Sequence, residues 1–307
     1  MKDKKLHMIG NAHLDPVWLW NWQEGFQEVK ATFRSALDRM NEDENFVFTC
    51  SSAAFYEWVE HNNPQMFEEI KKRVAEGRWE VVGGWWIQPD CNIPSGEAFA
   101  RQGLYGQRYF KEKLNTLATT GYNVDSFGHN GNLPQILKKS GLDNYVFMRP
   151  MPLEKGLPGR TFWWKSMDGS SVMTYRIPYE YCSWGKELEK YTQRLKCELQ
   201  DGEEELMMFY GVGNHGGGPT KENIQSIYAL NDREDMPVME MGTTARFFQS
   251  IRENGREYPE YIGDLQHHAS GCYSVLSKVK RENRRAEDKL IQAEMWSAIA
   301  NVTEHQP

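Results

Sequence analysis

The sequence predicts an α/β protein: a largely parallel β/α barrel of about seven strands wrapped by helices, with a C-terminal helix that begins a helical bundle. Three observations carry this expectation. Short β-rich runs alternate with amphipathic helical stretches along most of the chain, and consecutive parallel strands need such crossover connections. At 307 residues the chain is long enough to bury a sizeable core, as one large α/β domain or two ordinary ones. No fixed-period repeat, low-complexity tract or Pro/Gly-rich linker breaks the alternation. A closed or nearly closed barrel is the first expectation, and an open doubly wound sheet is the second.

Each element follows from its local pattern. KLHMIGNAH reads as a strand, and EGFQEVKATFRSALDRM follows it with apolar residues at helical spacing. NFVFTCSS is the next strand; AAFYEWVEHNNPQMFEEIKKRVAEG is helical, with a break before Pro64. WEVVGGWW is the third strand, and Ser95 caps the helix SGEAFARQGLYGQRYFKEKL. TTGYNVDSF, helix NLPQILKKSG and NYVFMRP come next, then a less regular stretch holding TFWWKS and SVMTYRIP. The alternation resumes with ELMMFYGVG, helix KENIQSIYAL, PVMEMG and helix TARFFQSIREN. The tail, SVLSKVKRENRRAEDKLIQAEMWSAIANV, is one long helical pattern. A lone amphipathic helix cannot bury its own apolar stripe. The division expected is therefore a barrel domain over residues 1–270 and the first helix of a truncated bundle over 271–307.

Composition excludes several classes of function. A net charge of −7 and the absence of a concentrated basic surface argue against nucleic-acid or anionic-membrane partners. No apolar run approaches the ~20 residues that span a bilayer. Five widely spaced cysteines, with no CxxC pair and no secretory segment before them, read as reduced thiols of a cytoplasmic protein. Self-association into a homo-oligomer is left open. Eleven tryptophans are an unusual load; most belong in an aromatic core, but tryptophan in a cleft also stacks on sugar rings.

In parallel α/β proteins the site lies beyond the carboxyl ends of the strands. Those ends carry His13 and Asp15, then Trp85, Trp86 and Asp90, then Asp125, Phe127 and His129, then Arg149, then Asn214 and His215. Residues i and i+2 of an extended segment face the same side, so His13 and Asp15 can offer a nitrogen and a carboxylate to one cation. That donor set suits zinc or a similar divalent ion. The plainer alternative is that Asp15 caps the turn at Pro16. Asp125 reads either as a rim carboxylate, able to attack an electrophilic carbon or bind the metal, or as an Asx-turn residue of its glycine-rich loop. His129, His267 and His268 read as packing residues. GVGNHGGGPT lacks the GKS/T ending of a phosphate loop; it is either a plain turn or a close backbone approach that exposes Asn214 and His215.

Taken together, the motifs resemble glycoside hydrolase family 38, the α-mannosidases. The resemblance rests on NAHLDPVWLW (11–20), VVGGWWIQPDCNIPSGEAFARQ (81–102), GYNVDSFGHNGNLPQILKKSG (121–141), VFMRP (146–150) and GNHGGGPT (213–220). It implies that His13, Asp15 and Asp125 are three of four ligands of a divalent metal, normally zinc. Asp125 would also be the nucleophile of a retaining reaction on a mannose-containing oligosaccharide, with Trp18 stacking on the sugar and Phe127 and Arg149 lining the pocket. Asp90 and Asn214 are the further substrate-binding candidates. The sequence departs from the family where an aspartate general acid is expected, offering His215 as the candidate acid. It also lacks the fourth ligand, a histidine on a following helical domain, so the missing C-terminal domains count among the expected partners and the chain alone is expected to be weakly active or inactive. A metal-dependent carbohydrate deacetylase and a non-catalytic carbohydrate-binding domain are the competing readings.

Overall fold

The computed structural model describes residues 1–183, 188–200, 202–213 and 216–303. The chain runs from β1 (Lys5–Asn11) through α1 (Trp22–Glu42), β2 (Phe48–Cys50), α2 (Ala53–Asn62) and α3 (Pro64–Ala75) to β3 (Trp79–Val81). It continues through α4 (Gly96–Leu114), β4 (Thr120–Asn123), α5 (Leu133–Lys139) and β5 (Asn144–Phe147) to the hairpin of β6 (Thr161–Lys165) and β7 (Ser171–Arg176). Then come α6 (Glu189–Gln200), β8 (Glu205–Tyr210), α7 (Lys221–Asn231), β9 (Val238–Met241) and α8 (Thr244–Glu253). β10 (Glu260–Ile262), the single turn α9 (Gly271–Ser274) and α10 (Ser277–Thr303) complete it.

The alternation of strand and helix is present, but the strands pair as two five-stranded sheets. The first is wholly parallel, in the order β3-β2-β1-β8, with β9 also on β1. β1 is forked: β8 occupies one edge, while β9 takes Lys5–Met8 and β2 takes Gly10 and Asn11 on the other. The second sheet, β10-β6-β7-β5-β4, is parallel except for the β6–β7 pair. Among the described residues no ladder joins the two sheets, so strand pairing does not close the expected barrel.

Single contacts bridge the two seams instead. Just past β3, the Gly83 N–H donates to the Thr120 carbonyl at 2.7 Å. At the other seam the Tyr175 hydroxyl donates to the Met207 carbonyl at 2.8 Å and accepts from the Met207 N–H at 3.1 Å. Between the sheets, Asn11 donates to the carbonyls of Tyr181 and Tyr210 and accepts from the Tyr122 hydroxyl at 3.0 Å. One buried amide thus ties β1 to β8 and to β4 across the interior.

Most of the aromatic load is core. Trp79, Trp85 and Trp164 are fully buried, and Trp79 packs edge-on against Phe33 and Phe48. Burying each such ring stabilises by about 1.5–3 kcal/mol. Helix boundaries follow their capping residues: Asn63 caps α3 at Pro64, the Ser95 hydroxyl accepts the Ala98 N–H, and Thr220 and Asn223 form a reciprocal capping box on α7. The irregular stretch is a hairpin, its turn made by Asp168, which accepts the Ser170 N–H, and by Gly169 at φ +85°. That Asp-Gly between two aromatic and β-branched runs is a hairpin signal.

α10 differs from every other long helix: none of its residues is buried. Val279, Leu290, Met295, Trp296, Ile299 and Val302 are exposed. Polar contacts hold it beside α4, where Glu287 accepts the Ser95 N–H at 3.0 Å, Arg284 donates to the Ile93 carbonyl at 3.2 Å, and Arg101 pairs with Glu294. No described helix is long and apolar enough to cross a membrane.

Candidate active site

The turn after β1 brings its side chains into a cleft of about 480 Å³ lined by residues from several strand ends. The Asp15 carbonyl accepts the Trp20 indole N–H at 3.2 Å, which fixes the turn. α1 then packs directly on it. A Cβ at position 25 would lie 2.1 Å from the Pro16 carbonyl oxygen, so only glycine permits this approach. Gly106 does the same for the third strand end, where a Cβ would meet the Gly84 oxygen and the Trp85 carbonyl carbon at 2.5 Å.

Within this cleft the imidazole of His13 faces two carboxylates. His13 Nε2 lies 3.3 Å from Asp15 Oδ1 and 3.6 Å from Asp125 Oδ2. One donor atom from each of the three lies within 4.8 Å of the others. His13 is 8 % exposed, and its ring tilts against Tyr181. The second Asp125 oxygen accepts from Arg149, whose guanidinium also sits 5.3 Å from the Phe127 ring centroid. Both Asp15 and Asp125 therefore point into the cleft and at His13. One imidazole nitrogen and two carboxylate oxygens suit a divalent ion such as zinc, and a metal site of this kind needs deprotonated donors converging on one point.

The remaining residues singled out in the sequence divide by position. Trp18, Phe127, Arg149 and Asp90 line the same cleft. Trp18 stands at the rim with about half its surface exposed, edge-on to Trp20. Asp90 also holds its own loop, since its Oδ1 accepts the N–H groups of Asn92 and Ile93, both at 2.8 Å. Asn214 and His215 lie outside the described residues; the flanks of their loop are held by two hydrogen bonds between Val212 and Gly218. His268 packs its ring against Phe127 and pairs with Glu154. Ser52, Gln88 and Tyr181 line the cleft as well; Gln88 sits inside the 81–102 motif without a role assigned to it, and Ser52 and Tyr181 lie outside every motif quoted above. Burial pushes the Tyr181 phenol up, and it pushes the thiols of Cys182 and Cys91 up to about 11 and about 12, so these thiols stay protonated.

His129 supports the site from beneath. It is fully buried, with Nε2 2.9 Å from the Arg149 carbonyl and Nδ1 2.7 Å from the Tyr145 hydroxyl. The carbonyl requires Nε2 to donate, and in the neutral ring that burial favours Nδ1 accepts from the Tyr145 hydroxyl. Burial pushes its pKa down to about 4, only partly opposed by the Arg149 carbonyl. The unfolded chain takes up a proton near pH 6.5 that the folded chain refuses until about pH 4, so stability falls as pH drops through that window. Between pH 7 and pH 4.5 this loss amounts to about 2–3 kcal/mol. Urea unfolding of metal-free protein at both pH values checks it. His129→Asn should lose correspondingly less stability on acidification; an equal loss in both proteins would assign the effect elsewhere.

Residues 3–264 match the family described as glycosyl hydrolases family 38, N-terminal domain. The chain is 33% identical over 298 residues to alpha-mannosidase G of Dictyostelium discoideum, covering 96% of this chain and 27% of that protein. It is 28% identical to human alpha-mannosidase 2C1, covering 96% of this chain and 29% of that one. In fold it is similar to an α-mannosidase from Enterococcus faecalis V583, with a TM-score of 0.74 at 20% identity over 85% of this chain and 31% of the other. The chain thus spans less than a third of the length of these relatives. By the extent of the family match and the coverage of its relatives, it belongs to glycosyl hydrolase family 38, whose N-terminal domain it comprises.

Proposed function

We propose that this chain is the catalytic domain of a retaining α-mannosidase that cleaves α-linked mannosides with the help of one divalent metal ion, zinc by its donor set. The observation that carries the reading is the convergence of His13, Asp15 and Asp125 in one cleft beside an exposed Trp18, in a chain that belongs to this family. Bound there, the ion would supply Lewis-acid polarisation and a template for sugar hydroxyls.

The chain's own residues do the rest. Trp18 offers an apolar face on which a sugar ring stacks. Arg149 orients one oxygen of Asp125. An oxygen of the same carboxylate bonds to the anomeric carbon as the bond to the departing oxygen breaks, giving a glycosyl-enzyme. A general acid passes a proton to that departing oxygen, and its conjugate base then activates the water that releases the sugar. His215 is the candidate for this role, with Asn214 as a neighbouring substrate contact.

Three ligands leave part of the coordination shell to water or to groups from elsewhere. The exposed apolar stripe of α10 supports reading residues 271–307 as the first helix of a bundle packed beside the 1–270 domain. Turnover by residues 1–307 alone is therefore expected to be weak. A fluorogenic α-mannoside assay with added zinc tests this in the present chain, in its Asp125→Asn variant and in a longer chain carrying the region that follows in the relatives. Turnover that rises in the longer chain and vanishes with Asp125→Asn is expected. Equal turnover by the short and long chains would overturn the weak-fragment reading, and undiminished turnover by Asp125→Asn would overturn the nucleophile.

A further inference from the structure

Past β10 the chain lies antiparallel to residues 127–129. Leu265 exchanges two backbone hydrogen bonds with His129, both at 2.9 Å, and the His268 N–H donates to the Phe127 carbonyl at 3.3 Å. Ala269 follows at φ +45°, a conformation that costs a residue with a side chain energy and persists where its surroundings impose it. His268 is thereby fixed beside the cleft, although Phe127 and Arg149 line that cleft and His268 does not.

Its imidazole joins two neighbours that both lead to Arg149. One is Phe127, whose ring centroid lies 5.6 Å from that of His268 at an interplanar angle of 48°, and whose ring also faces the Arg149 guanidinium at 5.3 Å. The other is Glu154, in the loop that follows Arg149. Glu154 Oε1 accepts from His268 Nδ1 at 2.7 Å, and Oε2 accepts the Met151 N–H at 2.7 Å. With both oxygens engaged, Glu154 stays off the guanidinium, which donates to Asp125 instead.

Arg149 is thus held at its carbonyl by His129 and at its guanidinium by an aromatic face and a carboxylate. A guanidinium on a long stem has many rotamers to lose, so each fixed neighbour matters to where it points. Small misplacements of a group beside the reacting atoms cost up to about 100-fold in rate.

We infer that His268 is a positioning residue: by bracing the Phe127 ring and engaging Glu154, it keeps Arg149 on the Asp125 carboxylate in the geometry that attack on the anomeric carbon needs. The inference rests on the glycosidase reading of the cleft.

The test follows the first chemical step alone, in the full chain loaded with zinc. The probe is 5-fluoro-α-mannosyl fluoride: an Asp125 oxygen bonds to its anomeric carbon, the C–F bond there breaks, and fluoride leaves with the electron pair. Each labelled molecule gains the mass of one sugar, which accumulates in the mass spectrum even where turnover is weak. The dependence of labelling on probe concentration separates affinity from maximal rate. The label should map to Asp125. His268→Ala should lower the maximal rate about 10-fold or more, with probe and zinc affinities within about 2-fold of the wild type. Arg149→Met should itself label slowly, and adding His268→Ala to it should slow labelling by less than about 2-fold further, because an effect carried by Arg149 disappears with it. A wild-type rate in His268→Ala, or its full loss repeated beside Arg149→Met, overturns the role of His268 and leaves the glycosidase reading standing. If zinc affinity falls together with the rate, so that His268→Ala has lost its fold, Glu154→Ala carries the same test. Its maximal rate should drop about 3-fold or more at unchanged affinities, and a wild-type rate there overturns the inference. A wild-type chain that takes no label takes down both readings.

Discussion

Asp125→Ala is expected to lower the affinity of this chain for zinc by more than about 100-fold. Changing an outer partner of a metal ligand already costs 10–100-fold, and Asp125 is placed to bind directly, with Oδ2 3.6 Å from His13 Nε2 in a trio whose donor atoms lie within 4.8 Å. Removing it leaves two donors where three converged. His13→Ala should act alike, whereas Phe127→Leu, which removes no donor, should leave affinity within a few-fold. Competition against a chromophoric chelator measures all three. Thermal unfolding gives an independent readout: zinc at 100 times its dissociation constant adds about 2.7 kcal/mol to a protein that binds it only when folded, and that gain should vanish in Asp125→Ala. Zinc affinity unchanged by the substitution would remove Asp125 from the ligand set.

The largest loss of stability is expected from Glu80→Ala. The Glu80 carboxylate accepts four hydrogen bonds: from the Thr49 hydroxyl at 3.0 Å, the Thr244 N–H at 2.9 Å, the Thr244 hydroxyl at 2.8 Å and the Ala245 N–H at 2.9 Å. Two of these are N–H groups in the first turn of α8, which have no partner within the helix, and a carboxylate there also meets the positive end of the helix dipole. Alanine would orphan all four donors at about 1 kcal/mol each, or roughly 4 kcal/mol together. That is a large fraction of the net stability of a folded domain, and it corresponds to a fall in melting temperature of roughly 10 °C. Thr244→Val removes one of the four and should cost about a quarter as much. A Glu80→Ala melting curve matching the wild type would show that water satisfies the freed groups.

The candidate site was more legible in the sequence than the sheet arrangement. The i, i+2 spacing of His13 and Asp15, and the placement of Asp125 two residues beyond β4, are local facts, and strand ends converge by the geometry of parallel α/β folds. Ser52 and Tyr181 escaped notice, and Gln88 stood inside the 81–102 motif without a role, because their places in the cleft depend on where neighbouring chain segments bring them. A serine at φ +71° and an unpaired amide have no signature in residue type. The hairpin of β6 and β7 did have one, in Asp168-Gly169. β10 is only three residues long, with a single partner strand, too short a run for alternation to reveal. The division into two sheets was hidden for a different reason: period and composition say which face of a strand is buried, whereas edge-to-edge pairing depends on registers set far apart in the chain, as the forked edge of β1 illustrates.

That division gives the carboxylate–imidazole trio a mechanical meaning. His13 and Asp15 follow β1 on one half-shell, and Asp125 follows β4 on the other, while the halves meet through the Gly83 and Tyr175 contacts and the Asn11 amide. A cation shared by the three would rivet the two shells at their open end, so occupancy of the cleft and cohesion of the scaffold would become one property.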